Sequence, residues 1–393
     1  MANKLFCKIF QGVYAVVNQI IPHRQPILVK GRGCSSLIPE LLSDHDVKRP
    51  MIVTGPRVGK SPLVASLLET MSQAYLFSEV LSDPPASQIM KMAELYKQHQ
   101  CDGIVAIGGG SNMDAAKAMG AMVVRPRKSV QELDGVLKVR RKLPFFMAVP
   151  TTAGTGSECT IAAVVTDDMI GRKYAIADFA LCPDVAVLDP DLTASLPAAL
   201  TAYTGMDALT HAVETYLNTI FHLRDTKSLA ESAIRDIFTY LPRAYADGND
   251  MEAREKMLQA SYNAGIAFTV AGVGYVHSIA HAFGGQYHIQ HGLANAVILP
   301  HVLEAYRPKA DQAYARLADV LRLDCQGGDK ASAFIEAIRQ LNKRLDIPEK
   351  FNVLEESNVE KMAAWADKDA HPLYPCPVFF KKEDFARIMR IVG

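Results

Sequence analysis

Four histidines and one aspartate stand at spacings that suit a divalent metal ion. Asp207 and His211 are four residues apart in a segment with helical periodicity, and His277 and His281 repeat that spacing further along the chain. Residues four apart project from one face of a helix, so each pair could bind one ion. His291 opens the stretch HGLANAVILPHVL and could approach from another direction. Imidazole and carboxylate ligands favour Fe²⁺ or Zn²⁺ over Ca²⁺ or Mg²⁺.

Clustering of histidines does not by itself indicate a metal site. Five of the 11 histidines lie between positions 277 and 301, and histidines also cap helices and satisfy buried hydrogen bonds. Without the Asp207 and His211 pair, ligand and structural roles would be equally good interpretations. That pair and a second, independent motif favour the metal site.

The second motif is a glycine-rich turn after an apolar run. In DGIVAIGGGSNMDAAK, three glycines (108–110) are followed by Ser111 and a predicted helix. Glycines there let the backbone approach a pyrophosphate, and the free N–H groups of a helix N-terminus favour its negative charge. A polar turn, PTTAGTGSE (150–158), follows another predicted strand. Ligands of open α/β sheets bind at the carboxyl ends of strands, so both turns should line one dinucleotide site, although either alone could be an ordinary turn.

Two kinds of secondary structure position these motifs. Residues 27–190 alternate short apolar runs with amphipathic segments, as parallel strands and crossover helices do. We predict strands at 50–55, 74–80, 102–110, 145–152 and 185–190, and helices at 88–101 and 112–124. After Pro190 the periodicity is helical. The sequence therefore predicts an α/β domain with a parallel sheet over residues 1–193 and an all-α domain over residues 194–393.

The composition is that of an ordinary globular protein, with 49% hydrophobic and 21% charged residues. Lys plus Arg equals Asp plus Glu, at 42 each, so no overall charge attracts nucleic acid or an anionic membrane. Seven cysteines without a CxxC pair indicate reduced thiols in the cytoplasm. The apolar segment within residues 1–26 is too short and polar to span a membrane. Its apolar residues recur at helical spacing, which predicts a packing helix or an arm, and a weak membrane-surface role stays open.

Four stretches resemble the motifs of the iron-containing (group III) alcohol dehydrogenase family: GGGSNMDAAK, PTTAGTGSE, GMDALTHAVE and HSIAHAFGGQYHIQHG. They occur in that family's order and cover nearly the whole chain from about residue 27. The resemblance implies a Rossmann-like N-terminal domain, a helical C-terminal domain, and a cofactor and a metal in the cleft between them. It also implies hydride exchange between a primary alcohol or aldehyde and a nicotinamide cofactor, by a homodimer.

The resemblance implies metal ligands at Asp207, His211, His277 and His291, with Fe²⁺ as the ion and Zn²⁺ as the alternative. His281 then lies just outside the ligand set and is the candidate catalytic residue, as a proton relay. The implied cofactor-binding residues are Gly55, Asp83, Gly109, Gly110, Ser111, Asn112, Asp114, Thr151, Thr152, Thr155, Val164 and Lys173. His288 and His301 match no functional position of the family and are interpreted as structural.

The turn after the first long strand bears on the choice between NAD and NADP. NAD-using relatives usually carry an aspartate where this chain has Gly55, and that carboxylate accepts hydrogen bonds from the ribose 2′-hydroxyl. Because this chain has no carboxylate there, nothing at that position repels the 2′-phosphate of NADP, and Arg57 or Lys60 could pair with the phosphate. Either cofactor fits the resemblance, and NADP is favoured.

Three other functions are alternatives to alcohol dehydrogenation. Glycerol dehydrogenase-like enzymes oxidise polyols, and dehydroquinate synthase-like lyases recycle NAD. A lyase would need several basic residues for its acidic substrate, whereas the segment AFTVAGVGYVHSIAHAFGG is mostly apolar. A non-catalytic binding protein would leave the ligand set and both turns unexplained. We therefore expect a small alcohol or aldehyde as the substrate, and neither nucleic acid nor membrane as a partner.

Overall fold

The chain forms two compact units, one α/β and one helical. The computed structural model describes residues 4–20, 23–168, 172–220, 225–325 and 328–393. The α/β unit comprises His23–Leu196, and the helical unit comprises Pro197–Gly393 together with Met1–Pro22. An α/β fold in the N-terminal half and helices in the C-terminal half confirm the predicted fold class.

The α/β unit is built on a six-stranded parallel sheet. Its strands are β1 (Ile27–Lys30), β2 (Pro50–Val53), β3 (Tyr75–Phe77), β4 (Gly103–Gly108), β5 (Gly135–Val136), β6 (Phe145–Pro150), β7 (Ala162–Asp167), β8 (Arg172–Ala177) and β9 (Val185–Leu188). The large sheet has the order β1-β9-β6-β4-β2-β3, and every neighbouring pair in it is parallel. Strands β2, β4 and β9 are buried at every position, because helices and loops cover both faces of the sheet.

Helices pack on both faces of this sheet. After the N-terminal helix α1 (Lys4–Ile20), which belongs to the helical unit, they are α2 (Ile38–Asp44), α3 (Pro62–Thr70), α4 (Ala86–Gln98) and α5 (Gly110–Val124). Successive residues of β4 point into different cores: Ile104 and Ala106 pack with α4 and α5, and Val105 and Ile107 pack with α2 and α3. This alternation follows from the two-residue period of a strand.

All five predicted strands of the large sheet are confirmed, with shorter bounds in places such as β3. The predicted helix at 88–101 begins earlier, at Ala86, and ends at Gln98. It ends there because Gln100 has a φ of 51°, which a right-handed helix does not allow. The predicted helix at 112–124 is α5, which begins two residues earlier, at Gly110.

A second, three-stranded sheet was not predicted from the sequence. Its order is β5-β8-β7, with β7 and β8 antiparallel and β5 and β8 parallel. Two of the implied cofactor residues lie in it, Val164 in β7 and Lys173 in β8.

The helical unit holds no strand among its described residues. Besides α1 it contains α6 (Ala198–Leu217), α7 (Thr226–Ala246), α8 (Met251–Ala271), α9 (Tyr275–Tyr287), α10 (His291–Val320), α11 (Lys330–Arg344), α12 (Glu356–Ala370) and α13 (Lys382–Val392). Within the described ranges, no single helix is long and apolar enough to cross a membrane; α8 and α9 meet that test only as a pair, with a bend of 103° between them.

The N-terminal segment was predicted to be a packing helix or an arm, and it is a helix. It does not pack through its apolar side. Gln11 donates to the carbonyls of Pro372 and Tyr374 at 2.9 and 3.0 Å. Asn18 donates to the carbonyl of Val270 at 3.0 Å. These bonds place α1 in the helical unit, whereas the sequence predicted that residues 1–26 belong to the α/β domain. The boundary between the units follows Leu196 instead of the predicted residue 193.

Candidate metal centre and cofactor-binding turns

Three helices bring the candidate metal ligands together. Asp207 and His211 lie one turn apart on α6, His277 lies in the first turn of α9, and His291 is the first residue of α10. Ligand atoms of Asp207, His211 and His277 all lie within 4.8 Å of one another, and all three residues are buried. Asp207 Oδ1 is 3.8 Å from Nε2 of His277 and 3.4 Å from Nε2 of His291.

These separations fit a metal ion. Ligands at about 2.1 Å from a tetrahedral ion lie about 3.4 Å from one another, close to the two measured separations. One carboxylate and three imidazoles are a donor set for Fe²⁺ or Zn²⁺. Burial, reinforced by His211, His291 and His281, holds the pKa of His277 well below its usual value, so its imidazole is neutral, as ligation requires. The residues present could therefore hold the ion that the resemblance implies.

Glu214 orients one of the ligands. Its Oε2 lies 2.6 Å from Nδ1 of His277, and its two oxygens accept bonds from the backbone N–H groups of Gly274 and Val276, each at 2.7 Å. Burial raises the pKa of Glu214 to about 8, against the effect of these N–H donors. When Nδ1 of His277 donates to Glu214, Nε2 is left as the acceptor that faces Asp207. Glu214 was not predicted, although it lies three residues after His211 on the same helix.

Asn295 is the second residue that the sequence analysis missed. Its Nδ2 lies 2.7 Å from Oδ1 of Asp207, 3.3 Å from Nε2 of His277 and 3.2 Å from Nε2 of His291. Its side chain is fully buried on α10, one turn after His291. Three candidate ligand atoms thus surround a single amide nitrogen. The four-residue spacing from His291 was the available signal.

The three other histidines of the cluster between residues 277 and 301 lie outside the group of mutually close candidate ligands. His281 is half-exposed; its Nδ1 lies 2.9 Å from Oδ2 of Asp369, and its ring stacks on His291 at 5.3 Å. His288 ends α9 with a left-handed φ of 54°. His301 lies within α10, where burial lowers its pKa.

In the α/β unit, three turns follow neighbouring strands β2, β4 and β6. Gly55 follows β2, and a Cβ at that position would lie 3.4 Å from Oδ1 of Asn112. Gly109 and Gly110 follow β4 and begin α5, where a Cβ on Gly110 would lie 2.7 Å from Cγ2 of Thr155 in the turn after β6. The implied residues Gly55, Gly109, Gly110, Asn112 and Thr155 are therefore close together at the carboxyl ends of the strands, where such sheets bind ligands.

Close packing of the backbone explains the glycine at position 108 and the place of Thr151 in these turns. Gly108 has a φ of 154°, and a Cβ there would lie 2.2 Å from Nδ2 of Asn112. Thr151 donates its N–H to the carbonyl of Gly108 at 2.9 Å, which joins the turn after β6 to the glycine turn. Thr152 also faces this turn, because a Cβ on Gly109 would touch it at 3.4 Å. Ser111 lies in the first turn of α5.

A hydrogen bond joins Asp114 to the backbone of Val164. Asp114 accepts from Oγ of Ser157 at 3.0 Å and from the N–H of Val164 at 3.1 Å. Burial raises the pKa of Asp114 to about 6, with Lys117 opposing the rise and Asp83 adding to it. These contacts connect α5, the turn after β6 and β7.

Lys117 was not predicted, although it and Asp114 are the charged residues of an otherwise neutral α5 segment. Its buried Nζ donates to Oγ of Ser157, to the carbonyl and hydroxyl of Thr160 and to the carbonyl of Ala162, at 2.9–3.0 Å. An ammonium this deeply buried needs such partners, and they fix the segment that follows the polar turn.

The implied residues Asp83 and Lys173 form an ion pair with each other at 2.7 Å. Arg57, the candidate partner of a 2′-phosphate, instead donates to the carbonyl and the hydroxyl of Ser195 at 2.8 and 3.1 Å.

A candidate metal site of one aspartate and three histidines on helices, together with an α/β unit whose glycine turns suit a dinucleotide, is typical of metal-dependent, nucleotide-linked oxidoreductases. Two family models match the chain: "Iron-containing alcohol dehydrogenase" over residues 26–190 and "Fe-containing alcohol dehydrogenase family, C-terminal" over residues 201–392. The chain belongs to the iron-containing alcohol dehydrogenase family.

Individual relatives agree with this assignment. The chain is 36% identical to the NAD-dependent methanol dehydrogenase of Bacillus methanolicus, over 90% of this chain and 94% of that protein. It is 38% identical to the NADPH-dependent butanol dehydrogenase of Clostridium saccharobutylicum, over 79% and 81% of the two chains. Its structure is similar to that of an alcohol dehydrogenase from Oenococcus oeni, with a TM-score of 0.90 and 32% identity over 95% of this chain and 100% of that one.

Proposed function

We propose that this chain is a metal-dependent alcohol dehydrogenase that transfers a hydride between a primary alcohol or aldehyde and a nicotinamide cofactor. The proposal rests on the convergence of Asp207, His211, His277 and His291 in a chain that matches both parts of the family. Fe²⁺ is the proposed ion. When bound, it would supply Lewis-acid polarisation of the substrate oxygen.

The chain's own residues hold the site and move the proton. Glu214 fixes the ring of His277, and Asn295 holds Asp207 through a hydrogen bond of 2.7 Å. We propose that His281 passes the hydroxyl proton from the substrate side to solvent. Its Nδ1 is 2.9 Å from Asp369, and both side chains are more than a third exposed, so the pair can exchange protons with water.

The proposed cofactor residues are those of the three turns after β2, β4 and β6, with Asp114, Val164, Asp83 and Lys173 as supporting contacts. Gly55 offers no carboxylate to repel a 2′-phosphate, which supports use of NADP. The bond from Arg57 to Ser195 does not support it, because that guanidinium already has a partner. We propose that the enzyme accepts both cofactors and prefers NADP(H).

The test is an alcohol and aldehyde panel, followed by the absorbance of reduced nicotinamide, with anaerobically purified protein. Metal-free protein is compared with protein loaded with Fe²⁺ or Zn²⁺, and NAD(H) with NADP(H). His277→Ala should abolish metal binding and turnover, whereas the control His288→Ala, outside the ligand group, should keep both. No turnover of any alcohol or aldehyde with either metal would refute the proposal, and the lyase alternative would then replace it.

Oligomeric state and compartment are part of the same proposal. We propose a homodimer, which analytical ultracentrifugation would test. We also propose a reducing, cytoplasmic compartment, because none of the seven cysteines forms a disulfide and five of them are buried.

A further inference from the structure

The N-terminal helix α1 is attached to the helical unit through its polar side. Gln11 and Asn18 are buried and donate to backbone carbonyls of that unit, and Cys7 is buried between them and the N-terminus of the helix. A helix that packs to bury apolar surface turns its apolar side inward and its polar side to solvent. The attachment therefore leaves the apolar residues of α1 on the outside.

Six large apolar side chains form this outward face of α1: Leu5, Phe6, Ile9, Phe10, Val13 and Val16. Each is 39–66% exposed, and together they follow one side of the helix over three turns. In the described ranges outside α1, the exposed large apolar residues are scattered along the sequence, as is normal. A continuous apolar face of this size marks a surface that binds something.

The charge of α1 indicates what the outward face binds. Lys4 and Lys8 are exposed, and the helix contains no acidic residue. A second copy of α1 would bring no negative charge to these lysines, whereas an anionic lipid headgroup would. Helices with an apolar face of Phe, Leu, Ile and Val and basic flanking residues lie in the surface of anionic bilayers. The helix also precedes residues 26–190, which the N-terminal family model matches.

We propose that the outward face of α1 binds the surface of an anionic lipid bilayer, with Lys4 and Lys8 at the headgroups. The helix would lie in the plane of the surface and insert Phe6, Ile9 and Val13. None of these residues takes part in the proposed reaction, so membrane binding and catalysis can be measured separately.

The test is sedimentation of the full-length protein with vesicles of phosphatidylcholine alone and with a quarter of phosphatidylglycerol. We expect binding to the anionic vesicles that weakens at high salt. The double variant Ile9→Glu/Val13→Glu should bind at least about tenfold more weakly, and Lys4→Glu and Lys8→Glu should each weaken binding about fivefold. The matched control Leu81→Glu/Val353→Glu removes two exposed apolar side chains outside α1 and should bind as the wild type does.

Two results would overturn the proposal: a wild type that binds neither vesicle, or an α1 double variant that binds as well as the wild type. A dimer that Ile9→Glu/Val13→Glu dissociates, without vesicle binding, would show instead that the outward face pairs two copies. Circular dichroism and thermal unfolding establish that each variant is folded. If the double variant is not, the single variant Val16→Glu, at a 59% exposed position, provides the same comparison.

Discussion

Replacing Asn295 with leucine should weaken metal binding, because this amide holds Asp207 in place. The bond from Nδ2 to Oδ1 of Asp207 is 2.7 Å long, and Asn295 is fully buried, so water cannot replace the lost donor. A hydrogen bond to a charged group contributes about 1.5–3 kcal/mol. If all of it serves to position the carboxylate, the metal affinity falls roughly 10–150-fold, in agreement with the loss of about 10–100-fold that is usual for residues that orient metal ligands.

A closely matched control is present in the same unit. Asn342 is also buried and donates through Nδ2 at 2.7 Å, but to the carbonyl of Ala296. In both asparagines the amide oxygen has no hydrogen-bond partner among the residues that the structure describes. Asn342→Leu should therefore cost stability of the same order as Asn295→Leu, with a metal affinity within about twofold of the wild type.

The assay is competition for Zn²⁺ and Fe²⁺ against a chromophoric chelator, on anaerobically prepared metal-free protein, with unfolding of each variant measured in parallel. Equal metal affinities for the two variants would refute the positioning role of Asn295. A higher affinity in Asn295→Leu would show that the amide competes with the ion for Asp207. Failure of the wild type to bind either ion would refute the proposed metal centre itself.

Three further predictions concern other residues of the two sites. His281→Ala should slow turnover at least about tenfold with an unchanged metal content, and loss of metal would show that His281 is a ligand. Gly110→Ala places a Cβ 2.7 Å from Thr155 Cγ2 and should weaken NAD(P)H binding about tenfold in a fluorescence titration. The double variant Gly110→Ala/Thr155→Ser should recover part of that affinity. If Gly110→Ala binds NAD(P)H as tightly as the wild type does, crowding by Thr155 is refuted. Glu158 is buried at the end of the polar turn 150–158. Burial raises the pKa of Glu158 to about 7, so its contribution to stability should be fully present below about pH 4.5 and should fall by about 3 kcal/mol as the pH rises to about 7. In urea unfolding, the free energy of unfolding of Glu158→Gln should lack this contribution to the pH dependence. If the free energies of unfolding of the wild type and the variant change with pH in parallel, the prediction is refuted.

Local signals explain what the sequence could predict. The strands β2, β4 and β9 are continuous apolar runs that end in turn residues, and such runs are visible without tertiary information. The Asp207 and His211 pair depends only on the helical repeat, so its spacing indicated a shared face before the helix was known. The histidine cluster made His277, His281 and His291 candidates as well, and the resemblance then selected His277 and His291, which no local spacing joins to that pair.

The parts that were not predicted depend on tertiary contacts. In the second sheet, β5 is two residues long, too short for a periodic signal, and it pairs with β8 across an intervening stretch of chain. The antiparallel pairing of β7 with β8, the next strand along the chain, is local and was missed as well. The apolar repeat in α1 correctly indicated a helix, but not which side would pack. That side was determined by carbonyl acceptors at Val270, Pro372 and Tyr374, which lie more than 250 residues further along the chain.

The missed site residues share a physical property that the sequence does display. Lys117, Glu214 and Asn295 are polar or charged side chains in mostly apolar helical segments, and all are buried. Burial of such groups is unfavourable unless each finds partners, so a charge within an apolar helix implies a specific set of contacts close by. Lys117 binds the segment after the polar turn, and Glu214 binds the ring of the candidate ligand His277 and the backbone at the start of α9. Each of the three lies within four residues of a residue assigned to a site, Asp114, His211 or His291, so polar residues of this kind should be examined together with the motif beside them.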